Sequence, residues 1–339
     1  MKLHQMTIKD IAKILNISAS TVSRALKDHP DISEETKAAV RRVAESVNYR
    51  PNALALSLRK AKTNIIGVVV PEMTHHFFSS VLSGMDETAF GRGYTTMVCQ
   101  SGERADREQA SLQTLIDSRV DGILLSVSKS TTNNKFINQI VTDGMPVVMY
   151  DRTLDGVEVS RVTTDDVSGA YQAVRLMTSH GRKHIALLCG DTGLKVSDNR
   201  REGYEKALRE AGIVVDPELI IDADTPDKLR ANIGRLQSIA DKIDGLFAIN
   251  DDTTVVAMKV LRTAGRRIPQ DVEVVGFGDD PIAAIVEPSL TSVEQNGYEM
   301  GREAMSLLID QIESGLVVNR CVTRALVPKI KERESTGAM

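Results

Sequence analysis

Side chains able to do chemistry gather in two places along the 339 residues. The first is the run Ser18-Ala19-Ser20-Thr21-Val22-Ser23-Arg24. The hydroxyls of Thr21 and Ser23 suit phosphate oxygens, and Arg24 can make a two-pronged bond to guanine O6 and N7. Ala19 and Ser20 are small enough to touch a thymine methyl or accept one hydrogen bond. The second place is a series of polar residues that follow apolar runs: Ser126 and Ser128, Asp151 and Arg152, Asn250-Asp251-Asp252, and Asp279-Asp280. Carboxylates and amides aimed at one cavity bind a hydroxyl-rich ligand through paired hydrogen bonds. Asp and Asn after strands also form turns and cap helices, so each single position is open to that plainer reading.

Catalytic chemistry finds little support. His75 and His76 are adjacent, do not share a face and have no third ligand at a useful spacing, so no metal is expected. No GxGxxG opens a helix after a strand, and neither a P-loop nor a G-x-S-x-G elbow occurs. Gly91-Arg92-Gly93 follows a helical pattern and reads as a C-cap. Cys99, Cys189 and Cys321 lie far apart and make neither a CxxC site nor a disulfide framework. The expectation is therefore no catalytic residue, no cofactor and no enzyme. No apolar run reaches the ~18 residues of a membrane span. Met1 to Lys13 lacks the apolar centre of a secretory signal, so a cytoplasmic protein is expected.

The elements that hold these residues differ between the two ends of the chain. Residues 1–62 carry 12 Lys/Arg against 6 Asp/Glu, whereas the rest carries 30 against 40. A basic head on an acidic body points to a polyanionic partner for the head alone. Thr7-Ile8-Lys9-Asp10 opens a helix with a capping box, and Ile8, Ile11, Ala12 and Leu15 form its inner face. Asn16 suits a left-handed turn, Ser18 caps a second helix from Ala19 to about Leu26, and Ser33 caps a third from Glu34 to about Asn48. Two short helices joined by a tight turn, with a third across them, make a helix-turn-helix. Its second helix enters the major groove of DNA. The same packing also suits a three-helix protein-binding module. After Pro51, Asn52 caps a short stretch, Ala53 to Arg59, that exposes Leu54, Leu56 and Leu58. So short a helix needs a partner surface.

From Asn64 onward apolar strands alternate with helices. Strands are expected at 65–70, 95–99, 122–126 and 146–150, and, after a restart near Asp165, at 184–189, 219–222, 245–249 and 273–277. Such alternation implies parallel sheets covered on both faces, and two successive runs imply two lobes. Ligands in such sheets bind beyond the carboxyl ends of the strands.

Ile8-Lys9-Asp10-Ile11-Ala12, Thr21-Val22-Ser23-Arg24-Ala25-Leu26 and Asn48-Tyr49-Arg50-Pro51-Asn52 resemble the headpiece of the lactose-repressor (LacI/GalR) family of bacterial transcription regulators. The likeness continues through Gly67-Val68-Val69-Val70-Pro71, Val120-Asp121-Gly122-Ile123, Gly203-Tyr204, Ala248-Ile249-Asn250-Asp251 and Val275-Gly276-Phe277. It implies an all-α headpiece at 1–50, a hinge helix and linker at 51–62, and a two-lobed periplasmic-binding-protein-like α/β core at 63–339. Lobe 1 would comprise 63–162 and 291–322, and lobe 2 would comprise 163–290 and 323–339. The implied DNA contacts are Thr7, Ser18, Ala19, Ser20, Thr21, Ser23, Arg24, Asn52, Ala55, Leu58 and Arg59, with Leu58 wedged into the minor groove. The implied effector contacts are Phe77 and Phe78 as a stacking wall, with Ser126, Asp151, Arg200, Asn250 and Gln295. Two departures stand out. His75-His76 replaces an Asn-Pro common before the paired aromatics, and Gly278 replaces an Asp that grips a sugar hydroxyl, so that either Asp279 takes over that role or the ligand lacks the hydroxyl. The expected partners are a pseudo-palindromic double-stranded operator, a small effector such as a sugar or sugar derivative, and a second copy of the chain. The polar C-terminus from Lys329 lacks leucine heptads, which favours a homodimer. The alternative is a sugar-binding or sugar-processing α/β protein with an unrelated helical module.

Overall fold

A computed structural model describes residues 6–47, 49, 62–190, 193–315 and 321–337. The chain divides into two units, Met1–Thr63 and Asn64–Met339.

In the first unit, α1 (Ile8–Leu15), α2 (Ala19–Ala25) and α3 (Glu34–Ser46) enclose a small core of Ile11, Ala12, Val22, Ala25, Val40 and Ala44. Each helix starts where the sequence supplies a cap. The Asp10 carboxylate accepts from the Thr7 backbone N–H at 2.9 Å, and Ser18 Oγ and Ser33 Oγ accept from the amides of Thr21 and Thr36. Asn16 takes the left-handed conformation (φ 50°) that turns the chain from α1 to α2. Buried Lys37 pairs with Glu34 and Asp28, and Arg41 also meets Asp28 at 2.9 Å, tying the loop after α2 to α3. The third helix ends earlier than the sequence suggests.

In the second unit the strands form two six-stranded sheets. The first comprises β1 (Ile65–Val70), β2 (Thr95–Gln100), β3 (Gly122–Leu125), β4 (Val147–Tyr150), β5 (Ser160–Thr164) and β11 (Thr323–Leu326), in the order β11-β5-β4-β3-β1-β2 and parallel throughout. The second comprises β6 (Ile185–Cys189), β7 (Ile220–Asp222), β8 (Gly245–Ala248), β9 (Glu273–Gly278), β10 (Thr291–Glu294) and β12 (Lys329–Lys331). Its order is β12-β10-β9-β8-β6-β7, with β12 antiparallel. The central strands β1, β3, β4, β6, β8 and β9 are buried along almost their whole length, as sheets covered on both faces require.

Helices α4 (His76–Gly91), α5 (Ala105–Asp117), α6 (Lys135–Thr142) and α13 (Gly297–Ser314) serve the first lobe. Helices α7 (Asp166–Ser179), α8 (Lys195–Glu210), α9 (Pro226–Ala231), α10 (Ile233–Ile239), α11 (Asp251–Thr263) and α12 (Pro281–Ile285) serve the second. Helices α4 and α13 cross so closely that a Cβ on Gly84 would lie 2.0 Å from the Tyr298 carbonyl oxygen, and one on Gly301 would lie 2.0 Å from that of Val81.

The lobe limits differ from the sequence expectation. Crossings were expected near 162, 291 and 322, but β5 runs to Thr164, β10 (291–294) belongs to the second sheet and β11 (323–326) to the first. The chain therefore crosses at about 165, 295 and 327. Short terminal strands carry too few residues to announce which sheet they join. The helical stretch between β7 and β8 is two helices, broken at Asn232, whose side chain donates back to the Asp222 and Lys228 carbonyls.

Candidate functional site

In the first unit, α2 turns Val22 and Ala25 inward and leaves Ser20, Arg24 and Lys27 exposed, with Thr21 and Ser23 half-buried. The hydroxyls of Ser18, Ser20 and Thr21 cluster within 2.7–2.8 Å of one another's partner oxygens at the helix start. Thr7 is exposed and its hydroxyl donates to Asp10. Ala19 packs partly against the core. Arg24, one turn after Ser20, has no ion-pair partner among the described residues. A helix whose outer face carries hydroxyls, a free guanidinium and an ammonium can meet phosphates and base edges together. The expected contacts Asn52, Ala55, Leu58 and Arg59 lie outside the described residues.

In the second unit, the ends of β3, β4, β8 and β9 meet across a cleft between the lobes. Among the described residues three ion pairs cross it: Lys129 Nζ to Asp224 Oδ2 at 2.7 Å, Lys195 Nζ to Asp155 Oδ1 at 2.9 Å, and His75 Nδ1 to Asp252 Oδ2 at 3.3 Å. Ser126 is fully buried at the end of β3, and its hydroxyl has no hydrogen-bond partner among the described residues. Asp151, after β4, sits in the left-handed region (φ 55°). Burial pushes its carboxyl up to about 6, with Arg152 opposing. Gln295 is buried where the chain recrosses from β10 to α13. Arg200 is buried on α8. Its Nε donates to Asp166 at 2.7 Å, another guanidinium nitrogen donates to the Ile249 carbonyl, and its plane lies 3.7 Å from the Phe277 ring centre.

Three expected contacts are already occupied. Phe77 and Phe78 meet edge to face at 5.3 Å, but only Phe77 is half-exposed. Phe78 belongs to the first-lobe core, with Arg152 over its ring at 5.6 Å, so of the expected pair only Phe77 is open to a ligand's approach. The Asn250 amide caps α11 through Thr253 N and donates to the Asp224 carbonyl. Asp279 is committed elsewhere in this structure. With Gly278 at φ 137° and Asp279 at φ 56°, its carboxylate turns to Lys331 at 2.9 Å and Arg333 at 2.6 Å.

Other polar residues at the strand ends stand outside the implied effector contacts. Arg152 holds Glu103 through one nitrogen at 2.7 and 2.9 Å. Asp251, fully buried, accepts from Ser292 Oγ and Asp280 N, and burial raises its carboxyl to about 7. Asp280 is raised to about 6, again by burial first. The signal for Asp251 was its place between Asn250 and Asp252 in a post-strand run, but sequence does not tell which of three neighbours turns inward.

A helix-turn-helix unit joined to a two-lobed core with polar strand ends around a cleft defines a DNA-binding regulator that senses a small molecule. Residues 7–52 match the family described as bacterial regulatory proteins, lacI family, and residues 174–336 match a periplasmic binding protein-like domain. The HTH-type transcriptional regulator RegA of Clostridium saccharobutylicum is 33% identical over 89% of this chain and 91% of its own length. The ribose operon repressor of Halalkalibacterium halodurans is 33% identical over 91% of this chain and 90% of its own. A solved complex of the transcriptional regulator CelR with cellobiose has a TM-score of 0.72 at 30% identity, covering 98% of this chain and all of that one. The chain belongs to the lacI family of bacterial regulatory proteins. It is a DNA-binding transcription regulator, and the relatives named are regulators rather than enzymes. No described helix is long and apolar enough to cross a membrane.

Proposed function

We propose that this chain is a homodimeric repressor, without catalytic activity, that acts in the cytoplasm on a pseudo-palindromic operator and is controlled by an uncharged, hydroxyl-rich effector. Ser18, Ser20, Thr21, Ser23 and Arg24 face the major groove, and Thr7 and Ala19 flank them. Asn52, Ala55, Leu58 and Arg59 serve the hinge contacts. The effector lies between Phe77, Ser126, Asp151, Arg200 and Gln295, while Phe78, Asn250 and Asp279 shape the walls.

The carrying observation is the buried Ser126 hydroxyl just after β3, which has no hydrogen-bond partner among the described residues. A buried polar group without a partner is costly, and a ligand hydroxyl would satisfy it. The charge pattern argues for an uncharged ligand. Arg152, Arg200, Lys129 and Lys195 already meet Glu103, Asp166, Asp224 and Asp155. A carboxyl raised to about 6 at Asp151 marks a place poorly suited to a phosphate dianion. The ribose and cellobiose in the names of two relatives agree with a sugar.

The test starts with duplexes selected by the protein from a random pool. Preference over scrambled DNA at physiological salt should be at least about a thousand-fold. Arg24→Ala should weaken binding by about 1–3 kcal/mol and relax one operator position. No preference for any duplex would sink the regulator reading. Matched pairs, such as D-ribose and its 5-phosphate, are then compared by thermal shift and operator release. A phosphate ester that outperforms its parent sugar overturns the effector class.

A further inference from the structure

The histidine that departs from the usual Asn-Pro has a visible use. His75 is the N-cap residue of α4 in the first lobe, and its ring stands half-buried at the mouth of the cleft. Nε2 lies 3.3 Å from Glu72 of its own loop. Nδ1 lies 3.3 Å from Asp252 in the first turn of α11, across the cleft. Asp280, the N-cap residue of α12, and Arg152, after β4, also act on this cluster electrostatically. The ring thus lies against one carboxylate of its own lobe and one of the other.

We propose that His75 is a pH-responsive tie between the lobes, its charged ring held by Asp252 only when the cleft is closed. Glu72 moves with His75 and holds it in either arrangement, so it does not favour closure. Asp252 belongs to the second lobe and is lost to the ring on opening. The other two crossing pairs use lysines, which stay charged across the physiological range. His75 alone among these three cations titrates near neutrality.

The direction follows from the contacts. The hydrogen bond to Asp252 raises the His75 pKa, against burial and Arg152. A cation with a raised pKa in the closed form supports closure fully below its ordinary value of about 6.5 and loses that support as pH climbs through the raised value. Asp252, whose pKa is lowered, stays ionised throughout that window. Asp280, near 6, contributes fully only above that pH. Closure is therefore favoured at pH 6–6.5 and weakened at pH 8. A half-exposed pair shifts such an equilibrium by about two- to five-fold.

The test uses the full-length protein without ligand. Spin labels are placed by T132C and D227C, at exposed sites on opposite lobes, after Cys99→Ser and Cys321→Ser. Pulsed EPR then gives the populations of short and long distances. The ratio of short- to long-distance populations should fall about two- to five-fold between pH 6.5 and 8. H75Q should abolish that dependence, and H75K, charged at both pH values, should keep the short distance at pH 8. In parallel, the NMR titration of the His75 ring, assigned by its loss in H75Q, should lie above about 6.5 and move toward it in D252N. A distance distribution indifferent to pH, a dependence that survives H75Q, or a His75 titration unmoved by D252N would each overturn the proposal.

Discussion

Removing the Arg200 guanidinium should unfold more than a ligand contact. Arg200 and Asp166 are 5% and 4% exposed, and their 2.7 Å bond is the only charge compensation near Asp166 among the described residues. Arg200→Ala leaves a carboxylate buried without a partner, which costs about 3–5 kcal/mol. The Ile249 carbonyl loses its donor, and Phe277 loses the cation stacked on it. At about 2 °C per kcal/mol for a unit of this size, the core should melt on the order of 10 °C lower. The penalty should also depend on pH. Burial already raises the Asp166 pKa while Arg200 opposes it. Without Arg200 it rises further, so the folded variant holds a proton that the unfolded chain releases near 3.9. Stability of the variant then falls as pH rises through that window, and the gap to wild type is wider at pH 8 than at pH 5.5. Asp166→Asn added to Arg200→Ala should recover part of the loss. Calorimetry at the two pH values decides the matter. A single variant that melts within about 2 °C of wild type at both would refute the buried-pair argument. It also means that a lost effector response in Arg200→Ala counts as evidence for ligand contact only in protein shown to be folded.

Two further substitutions probe the frame of the cleft. Gly301→Ala forces a methyl to within 2.0 Å of the Val81 carbonyl oxygen and should lower stability by about 1–3 kcal/mol, read from the urea midpoint. An unchanged midpoint would mean that α4 and α13 do not touch there. Asp251 carries a proton to about pH 7 when folded but only to about 3.9 when unfolded, so it makes stability fall as pH rises between those values. Asp251→Asn should flatten that slope in a pH series of denaturant melts, and a slope left intact would assign it to other groups.

Much of the frame was legible because it rests on local rules. Capping residues Ser18 and Ser33 mark where α2 and α3 begin, and runs such as Ile65–Val70 can only be buried strands. The positions Ser126, Asp151 and Asn250 were legible as strand-end residues, a matter of pattern. Their orientation was not. Whether Asp279 faces the cleft depends on Lys331 and Arg333, about fifty residues away, and whether Phe78 is wall or core depends on α13. The strands β5, β10, β11 and β12 escaped for a related reason. Three to five residues carry little periodicity, and their sheet is chosen by partners distant in the chain. The His75 tie was hidden likewise, since Asp252 lies 177 positions away.

The threefold crossing also sets the order in which this protein can be completed. Chains emerge from the ribosome N-terminus first and fold unit by unit. The headpiece closes its core with residues inside the first 50, so it is finished early. The first lobe begins next but stays open, because its covering helix, Gly297–Ser314, and its edge strand, Thr323–Leu326, are made almost last. Until then the Gly84 side of its α4 helix is bare, and a stalled or nicked chain presents that apolar face to proteases and chaperones.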